Sequence, residues 1–218
     1  MAILIIFICH WYISLFVQTF FLHRYASHQM FKMKPMTEKV FFIITWLAQG
    51  SSFLHPAAYA LMHRKHHEHS DTEKDPHSPV SFNSWIKFMY QTADEYSTFI
   101  KKVNNRQYKD KSLPRWELIE KMGDTHTSRI SFGVFYFLLY LYFAPTYWLL
   151  LLVPIHILMG PIHGFIVNWF GHKHGYRNFK KLYDNSKNTL FIDFLMLGEL
   201  YQNNHHKFPT KSNFAFRW

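Results

Sequence analysis

A single cysteine, Cys9, is all the thiol the chain contains. One cysteine excludes an internal disulfide, and it excludes zinc or iron–sulfur sites assembled from several thiolates. Any metal has to rest mainly on imidazole and oxygen ligands, a donor set that suits iron, zinc, copper or nickel. Haem and flavin binding motifs are absent as well. Charge is missing from two long stretches. Residues 1–22 and 130–172 hold no Lys, Arg, Asp or Glu, so all 24 Lys and Arg fall in 23–129 or 173–218. The net charge of +10 alone would admit nucleic acid as a partner. Its separation from the most apolar stretches argues instead for no nucleic acid and for a membrane protein whose polar mass sits on one side.

What the chain has in quantity is aromatic and imidazole side chains: 23 Phe, 13 Tyr and 16 His. Residues 2–22 supply the ~20 apolar positions that a spanning helix needs. They lack the basic start and small-residue cleavage site of a signal peptide, so they read as an uncleaved anchor. Residues 130–171 are about twice that length. A turn at Phe143–Trp148, punctuated by Pro145, divides them into spans at about 130–147 and 149–171. Tyr147 and Trp148 would sit at the membrane interface, and Pro154 and Pro161 would kink the second arm. The segment Val40–Met62 starts apolar and then carries Gln49, Ser51, Ser52, His55 and Pro56. Hydropathy alone leaves it either spanning or lying in the interface.

The histidines separate these two readings. They concentrate in HRYASH (His23, His28), HRKHH (His63, His66, His67), NWFGH (Asn168, His172) and the closing pair His205 and His206. If these groups bind one metal cluster, all must lie on one side of the bilayer. The chain from His28 to His63 must then cross an even number of times, so Val40–Met62 does not span. Between His67 and Asn168 two crossings are required, and the 130–171 hairpin supplies two. The expectation is an all-α integral membrane protein, one domain over 1–218, with about three spanning helices. Residues 40–62 would form interfacial helices, and a His-rich cap would face the cytoplasm. The N-terminus would be outside and every Lys and Arg inside, as positively charged loops prefer.

Local spacing refines the ligand set. In HRKHH, His63, His66 and His67 converge on one helix face, which suits two metals sharing neighbouring ligands, while Arg64 and Lys65 point away. His23 and His28 are five apart, which on a regular α-helix separates them by roughly 140°. They would serve different metals, or the helix would end between them. Asn168 and His172, at i and i+4, face the same way. Gln202 stands three residues before His205 and is a possible weak ligand, or a partner for a neighbouring imidazole. His69, His77, His126 and His174 read as exposed, and His10, His55, His156 and His163 as satisfied structural histidines. His156 and His163, about two turns apart, would meet in a metal transporter.

The set HRYASH, HRKHH, DTEKDPH, NWFGHKHGYR and GELYQNNHHKFP resembles the integral-membrane fatty acyl desaturases, specifically the acyl-CoA Δ9 type and its bacterial relatives. The likeness runs from Phe21 to Pro209. It implies an oxidoreductase with a non-haem di-iron centre, O2 as co-substrate, and a fatty acyl substrate carried on CoA or lipid. The matching ligands would be His23, His28, His63, His66, His67, His172, His205 and His206, with Asn168 reaching an iron through water. Two departures stand out: Gln202 occupies the place where the third box usually begins with histidine, and only one span precedes the first box. Two electrons per turnover would require a separate donor of ferredoxin or rubredoxin type, steered by the basic face that would also hold lipid headgroups. The stretch Asn104–Lys121 reads as the mobile surface there. A bacterial inner membrane, with the site on its cytoplasmic face, would be the setting. A hydroxylase of lipid, alkane or carotenoid chains on the same scaffold is the alternative.

Overall fold

The computed structural model describes residues 2–217. The fold is all-α; among the described residues the β pairing is confined to isolated bridges joining Tyr176, Asn188 and Tyr201. Helix α1, Ala2–Val17, runs without interruption into a π-helix over Gln18–Ser27, giving one apolar rod of 26 residues. Helix α2 covers Pro35–Gln49 and starts on a proline, which lacks only an N–H that the first turn leaves unpaired anyway. The chain then breaks at Gly50, whose φ of +49° suits glycine and whose missing Cβ leaves room for the Tyr136 hydroxyl. Helix α3, Pro56–His69, restarts beyond it, with the His55 imidazole accepting from the Ala58 N–H as its N-cap. Val40–Met62 is therefore two helices with a bend between them.

Helix α4, Trp85–Asn104, packs along α3, where Ala57, Ala58 and Ala60 admit Phe99 and Val103. Helix α5, Glu117–Asp124, occupies the end of the stretch expected to be mobile. Arg115 pins it, donating to both oxygens of the buried Glu120 at 3.0 Å. Helix α6, His126–Phe143, returns towards the N-terminal rod. A 3-10 stretch over Tyr147–Leu152, helix α7, Val153–Ile157, and helix α8, Met159–Lys173, form the second arm of the hairpin.

That arm bends by 73° at Leu158. The cause is Pro161, which has no N–H to offer the Ile157 carbonyl. Ser51 takes over, its hydroxyl donating to the Ile157 carbonyl at 2.8 Å, and the Gly160 N–H donates to Ser52 Oγ at 3.0 Å. The hydroxyls that made Val40–Met62 hard to read thus satisfy the backbone of the broken helix. Pro154, also expected to kink, sits in the first turn of α7, where proline is tolerated. By length and composition Ala2–Ser27 can cross a membrane, and the bent pair Tyr147–Ile157 and Met159–Lys173 qualifies only when taken together. The first arm of the hairpin, α6, does not qualify alone. It does expose a run of apolar side chains, among them Ile130, Val134, Phe135, Leu138 and Leu141. Tyr147 and Trp148 at the hairpin turn are 87% and 80% exposed. Beyond α8 a 3-10 turn over Leu190–Leu195 is the one helical element among the described residues before helix α9, Gln202–Lys207.

Candidate metal centre

The π-helix decides the first half of the site. Its backbone bonds run from i to i+5, and the His28 N–H donates to the His23 carbonyl at 3.1 Å. Residues five apart therefore lie one turn above each other. His23 and His28 come to the same side with Nε2 atoms 3.1 Å apart. Of the two alternatives drawn from α-helical geometry, the shared side of the rings argues against different metals, and the helix end at Ser27, between the two histidines, matches the other.

His63 and His67 of α3 and His205 of α9 close the group. The five Nε2 atoms form a ring: His23 to His28 at 3.1 Å, His28 to His63 at 2.8 Å, and His63 to His67 at 3.1 Å. The ring continues from His67 to His205 at 3.0 Å and back to His23 at 3.1 Å. A ring with an odd number of members cannot alternate donors and acceptors, so hydrogen bonding alone always leaves one edge with like groups facing. A cation removes the conflict, since all five lone pairs can then point inward. Ligands held at right angles at about 2.1 Å would be about 3.0 Å apart, which matches these edges.

His66, His172 and His206 form a second group beside the first, with ligand atoms within 4.8 Å of one another. Each donates Nδ1–H to a carboxylate: His66 to Asp75 at 2.8 Å, His172 to Asp71 at 2.9 Å and His206 to Asp184 at 3.0 Å. Their Nε2 atoms are buried and have no hydrogen-bond partner among the described residues. Neutral imidazoles oriented by carboxylates with a bare Nε2 are the form that binds a metal. In the first group His23 Nδ1 donates to Glu199 at 2.7 Å, and Arg24 and Thr19 also donate to that carboxylate. Both donor sets fit two metal ions side by side. Adjacent residues divide between them: His67 and His205 go to one group, His66 and His206 to the other.

Electrostatics favour the same protonation states. Burial, with neighbouring imidazoles adding to it, lowers His28 to about 2 and keeps His63, His67 and His205 well below their usual value. Burial lowers His206 to about 4, although Asp184 opposes it. Burial would raise the Glu199 carboxyl, but His23, Arg24 and Thr19 outweigh that and hold it at about 2. Asp71 and Asp184 follow the same pattern and are held below the usual carboxylate range by His172 and His206. Asp71 takes a φ of +62°, a left-handed conformation aspartate tolerates, and so faces both His172 and the Asn185 N–H.

The two remaining candidates stand slightly apart. Asn168 lies one turn before His172, and its amide donates to the Gly164 carbonyl at 2.8 Å. The Gln202 amide donates to the Glu199 carbonyl at 2.6 Å and bonds no imidazole. Its side chain lies against Gly171, where a Cβ would come within 2.5 Å of Gln202 Cγ. Arg64 does point away from the metal groups, but not to solvent: it donates to the Ser27 and Ala26 carbonyls and so ties the end of the π-helix to α3. His77, expected to be exposed, instead packs its ring 4.6 Å from His66, with a buried, unpartnered Nε2. Burial lowers it to about 3. His156 pairs with His10 at 2.6 Å and Tyr140 at 3.3 Å; no ring contact joins it to His163 among the described residues. Sequence reasoning passed over Glu199, Asp71, Asp75 and Asp184. Asp71, Asp75 and Glu199 sit inside the DTEKDPH and GELYQ segments already singled out, whereas Asp184 lies outside both.

A mostly apolar cavity of about 360 Å3 reaches this centre. His23, His63 and His66 line one part of it, Phe53, Phe88 and Ile100 another.

Comparison with known proteins decides the family. The model of the family described as fatty acid desaturase matches residues 1–217. The chain belongs to the fatty acid desaturase family. It is similar to a hex-5-enoyl-acyl-carrier protein acetylenase of Moorena producens, at 27% identity over 95% of this chain and 67% of that protein. The Delta-9 desaturase-like 5 protein of Arabidopsis thaliana is 26% identical over 92% of this chain and 64% of its own length. For the Delta-9 acyl-lipid desaturase 1 of the same plant the figures are 28%, 90% and 61%. The chain thus spans about two thirds of the length of these relatives. The family fits a centre built from imidazoles and carboxylates beside an apolar cavity.

Proposed function

We propose that the chain is an O2-dependent di-iron desaturase that introduces a cis double bond into a fatty acyl chain carried on CoA or lipid. The observation that carries this is the division of eight histidines from four chain segments into two adjacent groups at an apolar cavity. One iron would be held by His23, His28, His63, His67 and His205. The other would be held by His66, His172 and His206, with Asn168 reaching it through water and Gln202 as a weak ligand or neighbour. Bound iron supplies the oxidising power, drawn from O2 and two electrons, that removal of hydrogen from an unactivated methylene demands.

The chain's own residues do the rest. Glu199, Asp71, Asp75 and Asp184 fix the imidazole tautomers and ring planes. The cavity excludes water and aligns one carbon pair of the acyl chain with the centre. We further propose one membrane domain over 1–218 with three spans, at about 2–22, 130–147 and 149–171, and 40–62 in the interface. The approach of His28 to His63 at 2.8 Å supports this, since both must then lie on one side. The exposed apolar face of α6 and the exposed Tyr147 and Trp148 also support it. The centre would face the cytoplasm of a bacterium, where a ferredoxin or rubredoxin would deliver electrons to the basic face.

The test is the fatty-acid profile of a host expressing the chain, beside one expressing His66→Ala. A new acyl species lighter by two hydrogens, absent with the variant, is the expected result. A product heavier by one oxygen would mark a hydroxylase, and an unchanged profile would reject the assignment.

A further inference from the structure

His163 stands out from the other histidines of the apolar segments. His10 and His156 bond each other, and His55 caps α3. His163 is 1% exposed, lines the acyl cavity, and has no hydrogen-bond partner on either ring nitrogen among the described residues. Trp11 packs edge-on against it at 4.4 Å, but the indole N–H is already given to the Leu195 carbonyl at 3.0 Å. A second unpartnered group lies close by: the Oε1 of the buried Gln18 lines the same cavity, and Gln18 lies beside Gly164, the residue next to His163.

An imidazole and an amide oxygen left unpaired in an apolar cavity are costly, and such groups are normally satisfied by whatever occupies the space. A saturated hydrocarbon satisfies neither. A neutral imidazole offers one donor and one acceptor, and Gln18 Oε1 is an acceptor. A hydroxyl both donates and accepts, so it complements this set. His163 and His172 share α8, nine residues and about 14 Å of helix rise apart. Along α8 His163 is therefore set back from His172, while Gln18 lies one turn of the π-helix before His23.

We infer that the cavity selects an acyl chain bearing a hydroxyl group, with His163 and Gln18 as its hydrogen-bonding partners. This inference rests on the cavity being an acyl site, as proposed above.

The test is equilibrium binding to the full chain in detergent, using stearate and a panel of hydroxystearates with the hydroxyl at successive positions. One position, or two neighbouring ones, should bind about 3- to 10-fold more tightly than stearate, the range one net hydrogen bond provides. In His163→Leu that preference should vanish, while stearate binds at least as well as before. Equal binding of stearate and every hydroxystearate by the unmodified protein overturns the inference and leaves the acyl cavity standing. So does a preference that survives in His163→Leu. Failure of every acyl chain to bind overturns the acyl cavity and the inference with it. If His163→Leu does not fold, the panel on the unmodified protein decides alone.

Discussion

His23 donates its Nδ1–H to the Glu199 carboxylate across 2.7 Å, joining the end of the N-terminal rod to the turn that launches α9. Arg24 and Thr19 grip the same carboxylate. One buried acid thus sets the tautomer of one ligand candidate and the position of the segment that carries two others. Glu199→Gln keeps the size and removes the charge. Loss of an outer carboxylate typically costs 10- to 100-fold in metal affinity. The expected result is a loss of that order for one ion per chain, read by competition with a graded chelator, while the second ion stays bound. Unchanged affinity for both ions would remove Glu199 from the site.

The buried neutral histidines also predict how the metal-free protein responds to acid. His28, His77 and His206 are depressed from 6.5 to about 2, 3 and 4. As pH falls below 6.5 the unfolded chain takes up protons that the folded chain refuses. Stability is therefore fully present above 6.5 and drains away as pH falls towards 4. Each such histidine contributes about 1.4 kcal/mol per pH unit across its window. Glu199, depressed to about 2, acts in the same direction below its ordinary 4.5. Thermal unfolding of chelated protein in detergent should show a falling midpoint from pH 7 to pH 5. A midpoint that rises on acidification would mean the imidazoles are not buried as described.

The histidine clusters and the helical class were legible because imidazole in fixed spacing next to apolar runs has few other uses. That the histidine groups would meet was the premise of the parity argument, and His28 does approach His63 at 2.8 Å. The division of ligands was not legible. It depends on a π-helix over Gln18–Ser27, and five-residue spacing means opposite things in α and π geometry. The carboxylates were hidden for another reason: Asp71 finds His172 and Glu199 finds His23 over separations of 101 and 176 residues, which local pattern does not encode. His77 was misjudged because its setting, a polar DTEKDPH segment, looks solvated until Asp75 folds it in. The bend at Leu158 was anticipated from proline, yet only the structure reveals that Ser51 and Ser52 repair it.

That repair makes a prediction of its own. The Ile157 carbonyl, freed by Pro161, accepts from the Ser51 hydroxyl at 2.8 Å, its one side-chain donor among the described residues. Ser51→Ala leaves this carbonyl unpaired in an apolar setting, at about 1–3 kcal/mol. For a chain of this size that is a drop of roughly 2–10 °C in unfolding midpoint. Ser51→Thr keeps the hydroxyl and should recover most of it. Thermal scans of the three proteins in one detergent make the comparison, and equal midpoints for Ser51→Ala and the unmodified chain would show the bend to be self-sufficient.

The separation of His66 from His67 gives the sharpest check on the centre. They are adjacent in α3, and exchanging one for the other would look trivial in sequence. In the structure His67 Nε2 sits 3.1 Å from His63 and 3.0 Å from His205, inside the five-membered ring. His66 turns the other way, held by Asp75 at 2.8 Å and facing His172 and His206. The ring can lose one of five donors and keep four, whereas the second group falls from three imidazoles to two. His66→Ala should therefore empty one site, leaving about one tightly held ion per chain. His67→Ala should keep both ions with the first held more weakly, so that it leaves at a lower chelator concentration. Elemental analysis of metal per chain along a chelator series separates these outcomes. If the two variants behave alike, the imidazoles form one undivided cluster, and the pairing of His66 with Asp75 has no bearing on which ion it serves.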